Sequence, residues 1–330
     1  MTKKKIVCLY GTPSEIVNQL NEKAADYAAA RGLDYEWVPM QPFTNDAAAA
    51  ALKGADAGII DVEVYDHDIF DRINDSVRIL VRYGVGFDAV NLKDATKAGI
   101  AVARTTAANA EGVAEMAFTM IMAAKRQLMR NRNCVNTGNW VRNIGGEMLG
   151  KKLGIMGFGA IGRKVAKLFS GFDCEILAYD PFLPAEACEA AGAKKVELEE
   201  LFRESDAITV HVPYTKENHY IVNAERIAMM KKDAVLVCTA RGNLVDEQAL
   251  AEALKAGKIL GAGLDVFAKE PLNTDSPLIG LDNVILTPHV SSQTWESLWN
   301  IYARAIDIAA DYLEGKDIGR DLLNPDVLKK

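Results

Sequence analysis

Long apolar runs are absent from this chain of 330 residues. No stretch approaches the roughly 18 consecutive apolar residues that a membrane-spanning helix needs. Near the N-terminus the basic residues 3–5 precede only the short apolar run 6–10, which Gly11 and Pro13 then interrupt. That run is too short for the core of a secretory signal, so we interpret it as a first buried strand. The sequence predicts a cytoplasmic protein with no membrane partner.

Cysteine, histidine and excess positive charge are also scarce. The five cysteines are scattered and lack C-x-x-C spacing, a pattern typical of buried free thiols in a reducing compartment. Among the four histidines, His67 stands between Asp66 and Asp68, but a helix start explains this acidic run better than a metal site, and no metal is predicted. The formal net charge of −7 argues against nucleic acid as a partner.

A glycine-rich loop is the most informative feature that the chain does contain. Gly157, Gly159 and Gly162 form a G-x-G-x-x-G pattern between an apolar run and an amphipathic one. The first glycine permits a tight turn, the second lets backbone N–H groups approach phosphate oxygens, and the third lets helix and strand pack closely. A pyrophosphate would lie at the start of the helix, against Ala160 and Ile161, where the helix dipole is positive.

Asp180 strengthens this interpretation, because it ends a second strand-like run over residues 175–179 at the right distance from the loop. A carboxylate at this place accepts hydrogen bonds from the adenosine ribose hydroxyls and repels a 2′-phosphate. NAD is therefore the predicted cofactor, in preference to NADP. The alternative is a glycine turn that occurs by chance in an α/β domain.

Strand and helix patterns alternate along the chain and predict an α/β fold. We expect two domains: a Rossmann dinucleotide-binding domain, residues 105–294, inserted into a smaller flavodoxin-like parallel α/β substrate domain, residues 1–104 and 295–330. A continuous helix is predicted over residues 109–130. A last helix over residues 295–314 is expected to return to the first domain and make it discontinuous.

Three segments of the second domain carry a reactive side chain just after a predicted strand: Arg241, Glu270 and His289. Ligands of open α/β sheets bind at the carboxyl ends of the strands, so these residues are expected to converge. Arginine suits a substrate carboxylate and keto oxygen, histidine suits proton delivery, and a paired glutamate favours the charged histidine. A helix-start arginine and two turn residues are the alternatives, but their joint placement favours catalysis.

These motifs, with residues 84–88, 138–140 and 211–215, resemble the D-isomer-specific 2-hydroxyacid dehydrogenase family from about residue 81 to residue 294. The resemblance reaches both the phosphoglycerate dehydrogenase-like and the C-terminal-binding-protein-like branches. It implies Arg241, Glu270 and His289 as a catalytic triad, and a homodimer built on the cofactor domain. The remaining residues it implies are Val85 and Gly86 at the substrate carboxylate, Asp265 at the nicotinamide carboxamide, and His211, Thr239 and Ala240 beside the cofactor. For His211 a purely structural role is the alternative.

The same resemblance narrows the substrate. Formate dehydrogenases of this fold carry glutamine at the place of Glu270, and phosphite dehydrogenases place a lysine where Val85 stands. Phosphoglycerate dehydrogenases typically have arginine and serine where this chain has Asp61 and Glu63. We therefore expect an NAD-dependent reductase of hydroxypyruvate, glyoxylate or another small 2-keto acid. D-3-phosphoglycerate dehydrogenase is the alternative if these two carboxylates face solvent.

A hypothesis of another class comes from residues 82–84, 180–183 and 216–219, which are similar to C-terminal-binding protein corepressors. The protein would then be an NAD-sensing binding module, and an intact triad would not exclude it. The acidic net charge and the lack of a basic tail argue against a nuclear role.

Overall fold

The computed structural model describes residues 3–329. The chain forms two compact units: unit 1 runs to Asn109 and resumes at Thr294, and unit 2 comprises Ala110–Gln293. Across the described residues, no helix combines the length and the apolar character needed to cross a membrane.

Unit 1 is built on a parallel five-stranded sheet with the order β2-β1-β3-β4-β5, which is the flavodoxin-like order. Its strands are β1 (Lys4–Cys8), β2 (Leu33–Trp37), β3 (Ala57–Ile60), β4 (Ile79–Arg82) and β5 (Ala101–Arg104). Its helices are α1 (Glu15–Ala30), α2 (Asn45–Leu52), α3 (His67–Ile73), α4 (Leu92–Ala98) and, from the end of the chain, α12 (Trp295–Leu313).

Capping side chains set where the two long helices of unit 1 begin. The Ser14 hydroxyl accepts a hydrogen bond from the Val17 N–H at 3.2 Å, and Thr294 accepts one from Ser297 at 3.1 Å. The apolar face of α12 then packs with α1 and the sheet around the fully buried Tyr302. The last helix thus completes the core that the first residues of the chain begin.

Unit 2 is built on a parallel seven-stranded sheet with the order β12-β11-β10-β9-β6-β7-β8, the doubly wound arrangement of dinucleotide-binding domains. Its strands are β6 (Lys152–Met156), β7 (Glu175–Tyr179), β8 (Lys194–Lys195), β9 (Ala207–Val210), β10 (Val235–Cys238), β11 (Gly261–Leu264) and β12 (Val284–Leu286). Its helices are α5 (Ala110–Lys125), α6 (Leu128–Asn136), α7 (Ala160–Leu168), α8 (Ala185–Glu189), α9 (Leu198–Glu204), α10 (Ala224–Met229) and α11 (Glu247–Lys255). The predicted α/β class, with a Rossmann sheet and a flavodoxin-like sheet, is confirmed.

The single helix predicted over residues 109–130 is wrong, because α5 ends at Lys125 and α6 starts at Leu128. Gln127 separates them with a left-handed φ of 52°. Its side chain donates to the Leu260 carbonyl at 3.1 Å, and the Lys125 ammonium donates to the Asp233 carbonyl at 2.7 Å. These distant partners hold the break in place, whereas the local apolar pattern continues through it.

Candidate active site

The glycine-rich loop leaves β6 and enters α7 in the geometry that glycine alone allows. Gly157 has a φ of +93°, and its N–H donates to the Tyr179 carbonyl at 2.8 Å. A Cβ atom on Gly162 would lie 2.3 Å from the Gly157 carbonyl oxygen. Any larger residue at position 162 would therefore push α7 away from β6.

The N-terminus of α7 fits an anionic ligand. Gly159 is its N-cap and offers no side-chain acceptor to the first N–H groups of the helix, at Ala160 and Ile161. A Cβ atom on Gly159 would meet no atom of the described part of the chain within 4 Å, so the backbone here borders open space. Uncapped N–H groups at the positive end of a helix suit a phosphate, and the loop therefore fits the pyrophosphate of a dinucleotide.

Asp180 follows β7 and ties that strand to the glycine loop. One carboxylate oxygen accepts the Phe158 N–H at 3.0 Å and the other accepts the Phe182 N–H at 3.0 Å. The residue is half-buried, and each oxygen keeps a second lone pair. Its carboxylate can therefore stay fixed by the backbone and still accept a ribose hydroxyl.

Among residues 3–329, two polar atoms lie buried without a hydrogen-bond partner at the carboxyl ends of β9 and β10. They are Nδ1 of His211 and Oγ1 of Thr239. Burial lowers the pKa of His211 to about 3, so its ring is neutral, and Nε2 lies 2.9 Å from the Thr209 hydroxyl. Such orphaned polar atoms beside the glycine loop fit a polar ligand, although a structural role for His211 agrees equally well with its burial.

Glu270 and His289 form the central pair of the site. Oε2 of Glu270 lies 2.8 Å from Nδ1 of His289, and Oε1 accepts the Phe267 N–H at 3.0 Å. The glutamate is thus anchored on one side and orients the imidazole on the other. Both side chains are partly exposed, 38% for Glu270 and 49% for His289, so the second ring nitrogen of His289 can reach a substrate.

Asp265 is fully buried and lies directly after β11. Its carboxylate accepts hydrogen bonds from the segment that carries His289. Oδ1 accepts the Thr287 hydroxyl at 2.5 Å and the Val290 N–H at 2.9 Å, while Oδ2 accepts both the Ser291 N–H at 2.8 Å and its hydroxyl. The Asp265 carbonyl oxygen also accepts the His289 N–H at 2.8 Å. His289 itself has a left-handed φ of 54°, which these bonds stabilise.

Arg241 lies three residues after β10, close to the segment that leads to Glu270. Its Nη1 donates to the Ala240 carbonyl at 2.7 Å. A Cβ atom on the neighbouring Gly242 would lie only 1.8 Å from the carbonyl carbon of Phe267. Because glycine permits this backbone contact, the loops after β10, β11 and β12 bring Arg241, Glu270 and His289 to one edge of the sheet.

The two remaining predicted site residues, Val85 and Gly86, lie in unit 1 after β4. The Gly84 N–H donates to the Thr105 hydroxyl, and the Thr105 N–H donates to the Gly84 carbonyl. These two bonds fix the segment that precedes Val85 and Gly86. Within residues 3–329 neither the Val85 nor the Gly86 N–H group donates a hydrogen bond. Both groups can therefore donate to an anionic ligand.

Sequence reasoning missed Thr287 and Ser291, whose hydroxyls and backbone connect the histidine segment to Asp265. Their only signal was the run of hydroxyl residues around Pro288 and His289, and such runs are equally common in ordinary turns.

Comparison with known proteins identifies the family of this chain. A model of the D-isomer specific 2-hydroxyacid dehydrogenase NAD-binding domain matches residues 118–291. The chain belongs to the D-isomer-specific 2-hydroxyacid dehydrogenase family. Like other members, it is an NAD-binding oxidoreductase that acts on the CH–OH group of 2-hydroxy acids.

Individual relatives agree with this assignment. The chain is 35% identical over 300 residues to a glyoxylate reductase of Korarchaeum cryptofilum, covering 89% of this chain and 90% of that protein. It is 42% identical over 258 residues to a D-3-phosphoglycerate dehydrogenase of Methanocaldococcus jannaschii, covering 77% of this chain but only 49% of that one. The solved structure of a D-2-hydroxyisocaproate dehydrogenase superposes with a TM-score of 0.86 at 27% identity, over 97% of this chain and 99% of that one.

Proposed function

We propose that this dehydrogenase reduces a small 2-keto acid, such as glyoxylate or hydroxypyruvate, to the D-2-hydroxy acid with NADH. The Glu270–His289 contact of 2.8 Å carries the proposal, because it orients an accessible imidazole at the same sheet edge as the glycine loop. A bound NADH supplies the hydride.

Residues of the chain deliver the proton and bind the substrate. His289 delivers a proton to the keto oxygen from its second ring nitrogen, while Glu270 holds Nδ1. Arg241 offers its guanidinium to the substrate carboxylate. Within unit 1, the N–H groups of Val85 and Gly86 suit a carboxylate as well. We infer that unit 1, with its discontinuous chain, is the substrate domain.

For the cofactor we propose the glycine loop, Asp180, His211 and the strand end Thr239-Ala240. Asp265 receives a positioning role toward His289, because its four acceptor positions are filled by that segment. Asp265 would bind the nicotinamide carboxamide only if one of these four donors lost its hydrogen bond to the carboxylate.

The decisive assay follows NADH oxidation with glyoxylate, hydroxypyruvate, pyruvate and 3-phosphohydroxypyruvate. His289→Ala should lower kcat by about 10²–10⁴, the usual effect of losing a positioned acid, with nearly unchanged NADH affinity. His219→Ala is the matched control, because this exposed ring stacks on Tyr220 at 3.9 Å and its Nδ1 lies 3.3 Å from the Tyr214 hydroxyl, not beside Glu270. A His289→Ala enzyme with unimpaired turnover would overturn the assignment.

D-3-phosphoglycerate dehydrogenase is the second candidate, favoured by the relative of 42% identity. The same assay separates the two functions. A wild-type kcat/KM for 3-phosphohydroxypyruvate above that for hydroxypyruvate would establish the phosphorylated substrate.

We also propose a homodimer formed through α6 and residues 137–149. Large apolar side chains are exposed along this segment, including Trp140 at 80% and Ile144 at 90%, and α6 buries none of its own residues. Several large apolar side chains exposed along one segment favour an interaction site. The five free cysteines agree with a cytoplasmic location.

A further inference from the structure

The carboxyl edge of the unit 1 sheet carries an ion pair that the proposed reaction does not use. Arg82 is the last residue of β4 and lies in register with Ile60, the last residue of β3. Asp61 follows Ile60 directly. The two parallel strands therefore bring a guanidinium and a carboxylate to the same edge.

The pair is largely enclosed. Nη1 of Arg82 lies 3.7 Å from Oδ1 of Asp61, and the side chains are only 11% and 22% exposed. Asp61 is thus largely enclosed, and Glu63, two residues further, is half-buried. Burial raises the pKa of Asp61 to about 6, with Glu63 adding to the rise and Arg82 opposing it.

The guanidinium also borders the segment assigned to the substrate carboxylate. Nη1 of Arg82 donates to the Tyr83 carbonyl and lies 3.4 Å from the place where a Cβ atom of Gly84 would stand. Val85 and Gly86 come next in the chain. A substrate held by those two N–H groups would lie near the Arg82–Asp61 pair.

An enclosed guanidinium next to a carboxylate-binding segment would bind a second anionic group well, because it forms bidentate bonds with carboxylate or phosphate. Asp61 occupies part of that capacity and repels an incoming anion. Specificity of this kind arises from a repulsive element as much as from an attractive one. The neighbouring Arg104 lies in register with Arg82 on β5, and its guanidinium is 5.5 Å from the Phe87 ring. Arg104 is kept unchanged in all variants of the test.

We propose that Asp61 is a specificity-determining residue that neutralises Arg82 and so excludes 2-keto acids whose side chain is anionic. The substrate class is then 2-keto acids with an uncharged or cationic side chain. This inference rests on the proposed reductase function, and it explains why a guanidinium beside the Val85–Gly86 segment does not by itself make the enzyme a phosphoglycerate dehydrogenase.

The test compares kcat/KM for matched substrates, 3-phosphohydroxypyruvate against hydroxypyruvate and oxaloacetate against pyruvate. In Asp61→Asn the ratio of kcat/KM for the anionic substrate to kcat/KM for the neutral one should rise about ten-fold or more. A unit charge within several ångströms contributes at least this much in a half-buried site. Glu63→Gln is the matched control, since it removes the same charge from a half-buried carboxylate two residues away that does not pair with Arg82 in the described residues, and its ratio should change less than about three-fold.

A second variant keeps the result interpretable. Asp61→Asn combined with Arg82→Gln should return the ratio toward the wild-type value, because the unmasked guanidinium is then gone. If Asp61→Asn does not fold, as thermal unfolding would reveal, Asp61→Ser replaces it in the same comparison.

The outcomes separate the two claims. A wild-type enzyme that reduces none of these 2-keto acids would overturn the proposed function and the inference with it. An active enzyme whose ratio is unchanged in Asp61→Asn, or changes equally in Glu63→Gln, would overturn the inference alone.

Discussion

Replacing Asp265 by asparagine should separate a positioning residue from a cofactor ligand. The carboxylate accepts four hydrogen bonds, two from backbone N–H groups and two from hydroxyls, all from residues 287–291. Asparagine has one acceptor oxygen and one NH₂ donor. The Ser291 hydroxyl can rotate to accept a hydrogen bond from the new amide. One backbone N–H group, that of Val290 or Ser291, would however face the amide NH₂ and lose its acceptor.

The expected magnitudes follow from this count. A buried unsatisfied N–H costs about 1–3 kcal/mol, and the remaining bonds lose their charge assistance. Asp265→Asn should therefore lower the free energy of unfolding by about 2–4 kcal/mol, measured by urea titration. Because the left-handed backbone of His289 would lose its support, kcat should fall by about 10–100-fold, the range that a displacement of about 1 Å produces.

A matched control separates these effects from a general loss of stability. Asp206 is also a buried carboxylate and accepts the Lys152 N–H at 2.8 Å and the Lys231 ammonium at 3.1 Å, but it lies at the amino end of β9. Asp206→Asn should lose stability and keep kcat. If Asp265→Asn retained kcat at saturating NADH and lost only NADH affinity, measured by fluorescence titration, Asp265 would be a cofactor ligand and our reasoning would be refuted.

Three further predictions concern the cofactor, pH and assembly. Asp180→Ala should raise the ratio of kcat/KM for NADPH to that for NADH by about ten-fold, because repulsion of the 2′-phosphate is removed; equal use of both cofactors by the wild type would contradict this. The pKa of His211 falls from 6.5 to about 3 on folding, so the unfolded chain binds the extra proton between these values and stability is lost as pH drops from 6.5 toward 3, by up to about 5 kcal/mol. His211→Gln should flatten that acid limb in urea unfolding, and an unchanged limb would show that other groups cause it. Ile144→Asp with Trp140→Ser should convert a sedimenting dimer into a monomer, whereas a wild type that sediments only at 35.9 kDa at micromolar concentration would exclude the dimer.

The sequence by itself determined the parallel α/β class, the glycine loop and the placement of Arg241, Glu270 and His289 after consecutive strands. These features are local. Apolar strands followed by polar residues repeat along the chain, and parallel connections place every strand end at one edge of its sheet. The turn at Gly157 and the close packing at Gly162 follow from the spacing of the motif alone.

Tertiary structure decided which of those strand ends face the same partners. Asp265 bonds to Ser291, 26 residues later, and Gly242 touches Phe267 through backbone atoms that no local pattern connects. The break at Gln127 depends on the Leu260 carbonyl, which the helical periodicity cannot register. The sequence shows Asp61 only as one of two carboxylates near the substrate, and the register of β3 and β4 then places Arg82 beside it. Each of these outcomes depends on hydrogen bonds and charges between residues far apart in the chain, and only folding brings such groups within reach.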